Sequence, residues 1–376
     1  MLIGANPEKA LLFRSVSVTE EKSGASLWWY LIFGFALILF SNSISILLTF
    51  GRIEANESVG LLQIVRLLTY TLFGGAAILL FIKKKPVFSA MGPILTVLLS
   101  LAVISVFWSI SPKETLIRTY GLLGSTLMGI VMAVVLSWKD FLKLSVYSYL
   151  IIIGITIIVC LLLPSMGFHH GDEHSGAWRG AFGQKNVMGR MMILGFVLSY
   201  SARGILKDRK KTLAGISMAA TALLVLLSTS MSAILSLILM AGVITAFSFM
   251  QKSTAWRMTV IFSMIIVFLC IAMILILVDL NDIAVLFFET TGKDPTITGR
   301  TDIWGNAIRL WFEKRAFLGF GYGGFWETDA GNHSVNWGMG TFIPPHAHNG
   351  MLQIGTELGI VGLFLMFSYL LYHAIS

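Results

Sequence analysis

The sequence predicts an all-α integral membrane protein, a polytopic helical bundle of about ten spans with a large outer loop that contains short helices. Of its 376 residues, 56% are hydrophobic and 12% are charged, whereas soluble domains carry about 25% charged residues. A spanning helix needs about 20 mostly apolar residues, and the sequence contains such runs repeatedly. These runs are too continuous for the alternating strands, of about 10 residues each, that build a membrane barrel.

The distribution of basic residues predicts the orientation in the membrane. The predicted spans are 27–50, 61–82, 89–109, 115–136, 141–163, 187–203, 212–229, 231–250, 257–279 and 350–372. Most lysines and arginines fall in one of the two alternating sets of loops, which the positive-inside rule assigns to the cytoplasm. Both termini are then cytoplasmic, and two longer segments, 164–186 and about 280–349, lie on the outer, periplasmic side.

This pattern divides the chain into two predicted parts. Residues 1–279 form an N-terminal bundle of nine spans that includes the outer loop 164–186, and residues 280–376 form a large outer loop and the last span. Within that loop, apolar residues recur at helical spacing from Thr301 to Arg315 and form a tryptophan-rich face. We expect a helix there, lying either at the membrane surface or on the ends of the spans.

Three features that could indicate other functions are weak. Cys160 and Cys270 lie in apolar runs, where packing is expected rather than a disulfide. The net charge of +8 predicts no nucleic-acid partner, because most charges lie in short loops between spans. The run HHGDEH, residues 169–174, contains metal-ligand residue types, but its spacing matches no closed metal site. We therefore expect no metal and no cofactor.

Arginines are the candidate anion-binding residues of the predicted outer face. Arg179 and Arg300 each precede a predicted helix, and two guanidinium groups can hold a diphosphate. The alternative is a pair of solvated or headgroup-contacting arginines. Arg66, Arg118 and Arg190 lie inside the outer ends of spans, where an arginine either serves a functional site or extends to the interface.

Two further motifs precede the last predicted span. The glycine-rich run GFGYGGFW, residues 319–326, is similar to a phosphate loop but lacks its strand-turn-helix context, which favours a tight turn over a phosphate cradle. Farther along, His346 and His348 flank Ala347 and precede Asn349. Histidine exchanges protons near neutral pH, and His348 is the better candidate base because it lies closer to the span.

Together these motifs resemble the signature region of the O-antigen ligase and polysaccharide polymerase superfamily. GRTDIW (299–304), GFGYGGFW (319–326) and HAHNGMLQIGTELGIVG (346–362) follow the order of the family's elements on the predicted outer side. Upstream, RGAFGQKN (179–186) is similar to the family's Arg-Gly-x-Phe-x-x-x-Asn element. The motifs look most like those of the exopolysaccharide-production branch.

The resemblance implies an inverting, metal-independent glycosyltransferase of the bacterial inner membrane, with its active site on the periplasmic face. The implied partners are a glycan donor on undecaprenyl diphosphate, a glycan or lipid acceptor, membrane lipid and a chain-length regulator. By position, Arg179 and Arg300 match the family's diphosphate-binding arginines, and His348 matches the histidine proposed to act on the acceptor hydroxyl. The further candidate residues for binding diphosphate or glycan are Arg190, Arg118, Arg66, His346 and Asn349.

Three functions stay open from the sequence: a polymerase of repeat units, a ligase that transfers a finished glycan to lipid A core, and a transporter or flippase of an anionic lipid-linked glycan. The motif wording favours the polymerase over the ligase. Transporters more often have paired broken helices and inverted repeats, and the sequence indicates neither. Family members commonly continue through further spans, whereas this sequence stops at Ser376, so we expect a shortened member or a longer natural chain.

Overall fold

The structure, a computed structural model, is built mainly of α-helices, and its described part contains no β-strand. The described residues are 25–43, 59–83, 92–170, 175–250, 300–326, 346–347 and 349–375, with five more between 256 and 263. The longer helices in these residues are Leu27–Phe40, Val59–Ile82, Pro93–Ile104, Pro112–Val135, Trp138–Leu162, Lys185–Ile205, Asp208–Leu227, Met231–Met250, Arg300–Arg315 and Gly350–Ile375. The predicted all-α class is therefore confirmed.

Six of the described helices are long and apolar enough to cross a membrane. The candidate spans are Leu62–Ile82, Pro112–Val135, Trp138–Leu162, Asp208–Leu227, Met231–Phe249 and Gly350–Tyr372. Two apolar helices, Leu27–Phe40 and Pro93–Phe107, are shorter, and the predicted span 257–279 lies almost entirely outside the described residues. The protein is thus a multi-pass helical membrane protein, while the count of ten spans and the outer loop stay predictions.

Local sequence signals explain where several helices begin. Pro93 and Pro112 each occupy the first position of a helix, where the missing N–H of proline costs nothing. Ser137 caps the helix Trp138–Leu162, because its Oγ accepts the Asp140 N–H at 3.1 Å and donates to Asp140 Oδ2 at 2.7 Å. The first of these bonds satisfies one of the N–H donors that a helix start leaves open.

The chain forms two compact units. The first unit comprises Met1–Lys85 and Gly129–Ala241, and the second comprises Pro86–Met128 and Gly242–Ser376. The second unit therefore combines two N-terminal segments of helix with the motif-rich C-terminal residues. The sequence-based division between residues 279 and 280 lies outside the described part of the chain and stays a prediction.

The first unit is built around the helices Trp138–Leu162, Lys185–Ile205 and Asp208–Leu227. Gly195 brings the second of these against the Tyr149 ring, where a Cβ atom would overlap the ring carbons. The Tyr149 hydroxyl then donates to the Met191 carbonyl at 3.0 Å. Close approach at a small residue and interhelical polar contacts are the usual ways in which helices associate in a bilayer.

The second unit contains a break in the helix Gly350–Ile375, which we call the broken helix. Gly359 has φ 68° and ψ −166°, so the helical hydrogen bonds across it cannot form. The N–H groups of Ile360 and Val361 instead donate to the Ala316 and Phe317 carbonyls, at 3.0 and 3.3 Å. The predicted span 350–372 coincides with the candidate span Gly350–Tyr372, whose break at Gly359 was not predicted.

The carbonyl groups released by the break also find partners. Phe320 N–H donates to the Thr356 carbonyl at 2.8 Å, and Gly321 N–H donates to the Glu357 carbonyl at 2.9 Å. The segment 316–321 thus supplies two acceptors and two donors that a continuous helix would have supplied itself. Irregular backbone at membrane depth is tolerated only where protein satisfies it in this way.

We predict that Gly359→Ala destabilises the protein by about 2 kcal/mol or more, because alanine is strained at positive φ and its Cβ would overlap the Phe317 carbonyl. The matched control is Gly305→Ala, since Gly305 lies within the helix Arg300–Arg315 and a Cβ there has open space. Thermal unfolding of the detergent-purified variants measures both. Equal midpoints for the two variants would contradict the role assigned to the break.

Candidate functional site

The centre of the second unit is the segment Gly319–Gly324, which we call the glycine loop. Gly319, Gly321 and Gly323 all have positive φ, between 66° and 98°. Each lies against a different element, where a Cβ would overlap the Glu357 backbone, Ser109 or the Arg118 stem, respectively. Only glycine combines these angles with such close packing.

Hydrogen bonds fix the glycine loop to the residues that follow the helix Pro93–Ile104. Tyr322 N–H donates to Ser105 Oγ at 3.0 Å, and Ile110 N–H donates to the Phe320 carbonyl at 3.0 Å. Gly324 N–H turns back to the loop's own Gly321 carbonyl. Because the backbone donors of the loop are engaged within the protein, the geometry favours the tight turn over the phosphate cradle.

Glu357 is the buried charge of this region. It lies within a candidate span and is 5% exposed. The Gln353 side-chain amide donates to its carboxylate, and the Gly323 backbone amide and the Arg118 guanidinium both interact favourably with it. A carboxylate at membrane depth is costly without such partners. Glu357 was not predicted as a candidate residue, although an acidic residue in an apolar span indicates a functional position.

Tyr322 lies in the glycine loop, outside the spans, and is half-buried. Burial and the nearby charge of Glu357 raise the pKa of Tyr322 above its usual value of 10.0, and Arg118 opposes this rise. The phenol is therefore protonated at neutral pH and keeps its O–H donor. Arg118 thus lies beside the glycine loop, Tyr322 and Glu357. From the sequence alone, it was open whether Arg118 serves a functional site or extends to the membrane interface.

The segment before the broken helix is held from both sides. Trp304 Nε1 donates to the Ala347 carbonyl at 2.7 Å, and Ala347 N–H donates to Gln353 Oε1 at 2.9 Å. Gln353 in turn donates to Glu357. One hydrogen-bonded network therefore joins the three C-terminal motifs through Trp304, Ala347 and Glu357, and reaches the glycine loop at Gly323.

The candidate residues around this network have different surroundings. His346 is exposed, and His348 lies outside the described residues. Asn349 Oδ1 accepts the N–H groups of Met351 and Leu352, at 3.0 and 3.2 Å. The amide oxygen of Asn349 thus caps the broken helix, a role that the sequence analysis did not predict.

Arg300 is the first residue of the helix Arg300–Arg315, which confirms the helix predicted from Thr301 to Arg315. The side chain of Arg300 is outside the described part of the structure. The inner face of the helix buries Ile303, Ala307, Leu310 and Trp311 against the residues around Phe325 and Leu352. Its tryptophan-rich face is thus packed on protein at Trp311, while Phe312 is exposed.

In the first unit, Arg179 is held by the short turn Pro164–Gly167. Its Nε donates to the Met166 carbonyl and its Nη2 to the Ser165 carbonyl, both at 2.9 Å. These bonds fix the half-buried guanidinium, and no acidic side chain pairs with it within the described residues. Neutral acceptors of this kind orient an arginine without cancelling its charge.

Arg66 and Arg190 are the other candidate arginines of the first unit. Arg66 is half-buried, donates to Asn42 Oδ1, and has a buried Nε without a partner in the described part of the chain. Arg190 is exposed, and its Nε donates to the Asn186 carbonyl at 3.3 Å. Because Arg118, Arg300 and His346 belong to the second unit, the expectation that all these residues serve one site stays a prediction.

The histidine-rich run 169–174 is described only at its first two residues. His169 Nε2 accepts the Lys185 N–H at 3.2 Å, and His170 Nε2 lies 3.2 Å from the Pro164 carbonyl. Within the described part of the chain, no three His, Cys, Asp or Glu side chains are grouped as metal ligands would be.

Comparison with known proteins identifies the family of this region. Residues 216–367 match the family model described as O-antigen ligase. This part of the chain is therefore similar to O-antigen ligases. The matched residues include the glycine loop and the network from Trp304 to Glu357, whereas Arg118 and Arg179 lie outside them. The predicted superfamily resemblance is thus confirmed.

A curated relative supports the same branch of the family. The chain is 27% identical over 277 residues to "Exopolysaccharide production protein ExoQ" of Rhizobium meliloti (strain 1021). The aligned region covers 70% of this chain and 60% of the relative. The chain therefore spans less than two thirds of the length of the relative that it matches.

We predict that Ser105→Ala destabilises the protein by about 1–3 kcal/mol, because it leaves the Tyr322 N–H without its acceptor in a buried position. Ser125→Ala is the matched control, because both serines donate to a carbonyl three residues earlier. Ser125 differs in that it is exposed and accepts no loop N–H within the described part of the chain. Thermal unfolding in detergent gives the comparison. A loss for Ser125→Ala as large as that for Ser105→Ala would disprove the anchoring role.

Proposed function

We propose that the protein is a membrane glycosyltransferase that polymerises undecaprenyl diphosphate-linked repeat units into exopolysaccharide at the outer face of the inner membrane. The observation that carries this proposal is the hydrogen-bonded network within the residues that match the O-antigen ligase family. The name of the relative from Rhizobium meliloti, an exopolysaccharide production protein, supports the polymerase over other members of the family.

The proposed chemistry needs groups that the chain supplies. A sugar bonded to diphosphate has a good leaving group, and the guanidinium groups of Arg179 and Arg300 neutralise the charge that develops on it. His348 acts as the base that removes the proton of the acceptor hydroxyl, a contribution of about 10²–10⁴-fold. Attack from the face opposite the diphosphate inverts the anomeric carbon. This step requires no metal ion in the proposal.

The proposed substrates determine the remaining partners and the location. The donor is a lipid-linked glycan, the acceptor is a second glycan or lipid, and a chain-length regulator controls the product. Both termini face the cytoplasm in this proposal, and transfer occurs on the periplasmic side, as the positive-inside rule indicates.

A ligase is the second candidate, because the matched family model is described as O-antigen ligase. It would transfer a finished glycan to lipid A core by the same displacement. A transporter has less support. Such proteins usually carry paired broken helices, whereas the described residues contain one broken helix, at Gly359.

The deciding experiment supplies purified protein with undecaprenyl diphosphate-linked repeat units alone and resolves the products by size. We expect a ladder of longer lipid-linked glycans, unchanged by EDTA. Transfer only after addition of lipid A core would instead establish the ligase. Loss of the ladder in EDTA would disprove the metal-free step, and the absence of both products from folded protein would favour transport.

In the same assay, we predict that Arg179→Ala, Arg300→Ala and His348→Ala each abolish polymer formation without loss of the protein from the membrane. The matched control is Arg309→Ala, because Arg309 lies on the same helix as Arg300 and pairs with Glu313 at an exposed position. Arg309→Ala and His169→Ala should both keep activity. Full activity of any of the first three variants would remove that residue from the mechanism.

A further inference from the structure

Glu357 is a buried charge to which the proposed mechanism gives no role. Its carboxylate interacts with three elements: Gln353 of its own helix, the Gly323 amide of the glycine loop, and the Arg118 guanidinium. Burying a charge at this depth is expensive, and an uncharged glutamine would fill the same space. The position therefore needs a reason for a carboxyl group in place of an amide.

Gly323 connects the two charged residues. Its backbone amide is directed to the Glu357 carboxylate. On the other side it packs under the Arg118 stem, since a Cβ on Gly323 would lie 2.6 Å from Arg118 Cγ. The carboxylate, the loop backbone and the arginine stem are thus in successive contact. A shift of the carboxylate would move the loop, and a shift of the loop would move Arg118.

Arg118 differs from Glu357 in its exposure. Arg118 is exposed, although it lies near one end of the candidate span Pro112–Val135 and beside the buried carboxyl group of Glu357. An arginine that merely neutralised Glu357 would be expected to be buried with it. The observed arrangement places the stem against Gly323 in a residue that is exposed as a whole, and a guanidinium group can bind an external anion through several hydrogen bonds.

We propose that Glu357 is a positioning residue, whose buried carboxylate fixes the glycine loop and, through Gly323, the stem of Arg118, so that the guanidinium meets the polyprenyl diphosphate of the donor. This inference rests on the proposed function. It assigns diphosphate binding to Arg118, already a candidate from the sequence, and it assigns to Glu357 the role of holding Arg118 without touching the substrate. A fixed guanidinium stabilises developing charge better than a mobile one, because no reorganisation is needed during the reaction.

The test is a double-mutant cycle of Glu357→Gln and Arg118→Gln. We expect each single variant to lower the transfer rate by about 10- to 100-fold, the effect of a displaced binding group. If Glu357 acts through Arg118, the double variant is no slower than Arg118→Gln alone, within about twofold. Losses that multiply would mean that Glu357 acts independently, and would overturn the proposal.

A control variant separates positioning from general damage to the helix. Thr356→Val removes a fully buried hydroxyl from the same turn. Within the described residues, this hydroxyl donates only to carbonyls of its own helix. It should retain transfer activity. If Glu357→Gln is not recovered folded, Glu357→Asp replaces it, since aspartate keeps the charge but retracts the carboxylate by one methylene. A wild-type rate for Glu357→Asp would contradict positioning.

A binding measurement distinguishes failure of this inference from failure of the proposed function. Farnesyl diphosphate, a polyprenyl diphosphate without sugar, is titrated against the same variants in detergent. We expect Glu357→Gln to weaken binding as much as Arg118→Gln, with no further loss in the double variant. This result without glycan transfer would support positioning and disprove the transferase. Folded wild-type protein that neither binds nor transfers would overturn both.

Discussion

The second unit depends on the requirement that backbone groups in a membrane be hydrogen-bonded by protein. The break at Gly359 releases groups on both sides of it, and the segment 316–321 supplies their partners. This exchange needs the segment to lie in the place of a helical turn, close to the backbone of Glu357 and Leu358. The glycines follow from that requirement, because a side chain at Gly319 would overlap the Glu357 backbone.

The same break determines where the motifs meet. A continuous helix would have no open carbonyls near its middle and nothing to hold the glycine loop at depth. With the loop in place, its Gly323 amide is within reach of the Glu357 carboxylate, which the Gln353 amide also contacts. Gln353 also holds Ala347, and Ala347 holds Trp304. Motifs separated by more than 40 residues are therefore brought together by one irregularity.

The sequence predicts well those features that depend on local periodicity. The helix Arg300–Arg315 begins within one residue of its prediction, because its apolar spacing and charged ends are local properties. The break at Gly359 was not predicted for a physical reason: hydropathy identifies the run as a span despite Thr356 and Glu357, and it carries no information about φ. The contact of Arg118 with Gly323 is missed because it joins residues about 200 positions apart. The helix cap formed by the amide oxygen of Asn349 was not predicted either, and the role of Asn349 in binding glycan stays a prediction.

The candidate arginines are held by two different physical means. Arg179 is oriented by neutral carbonyl oxygens of the turn Pro164–Gly167, which leave its charge uncancelled within the described residues. Arg118 is oriented through its apolar stem on Gly323 and by the carboxylate of Glu357, which lowers its net attraction for an anion but fixes it more firmly. The first arrangement favours strong capture of a diphosphate, and the second favours precise placement with easier release. An enzyme that must release a lipid diphosphate after each transfer benefits from both properties.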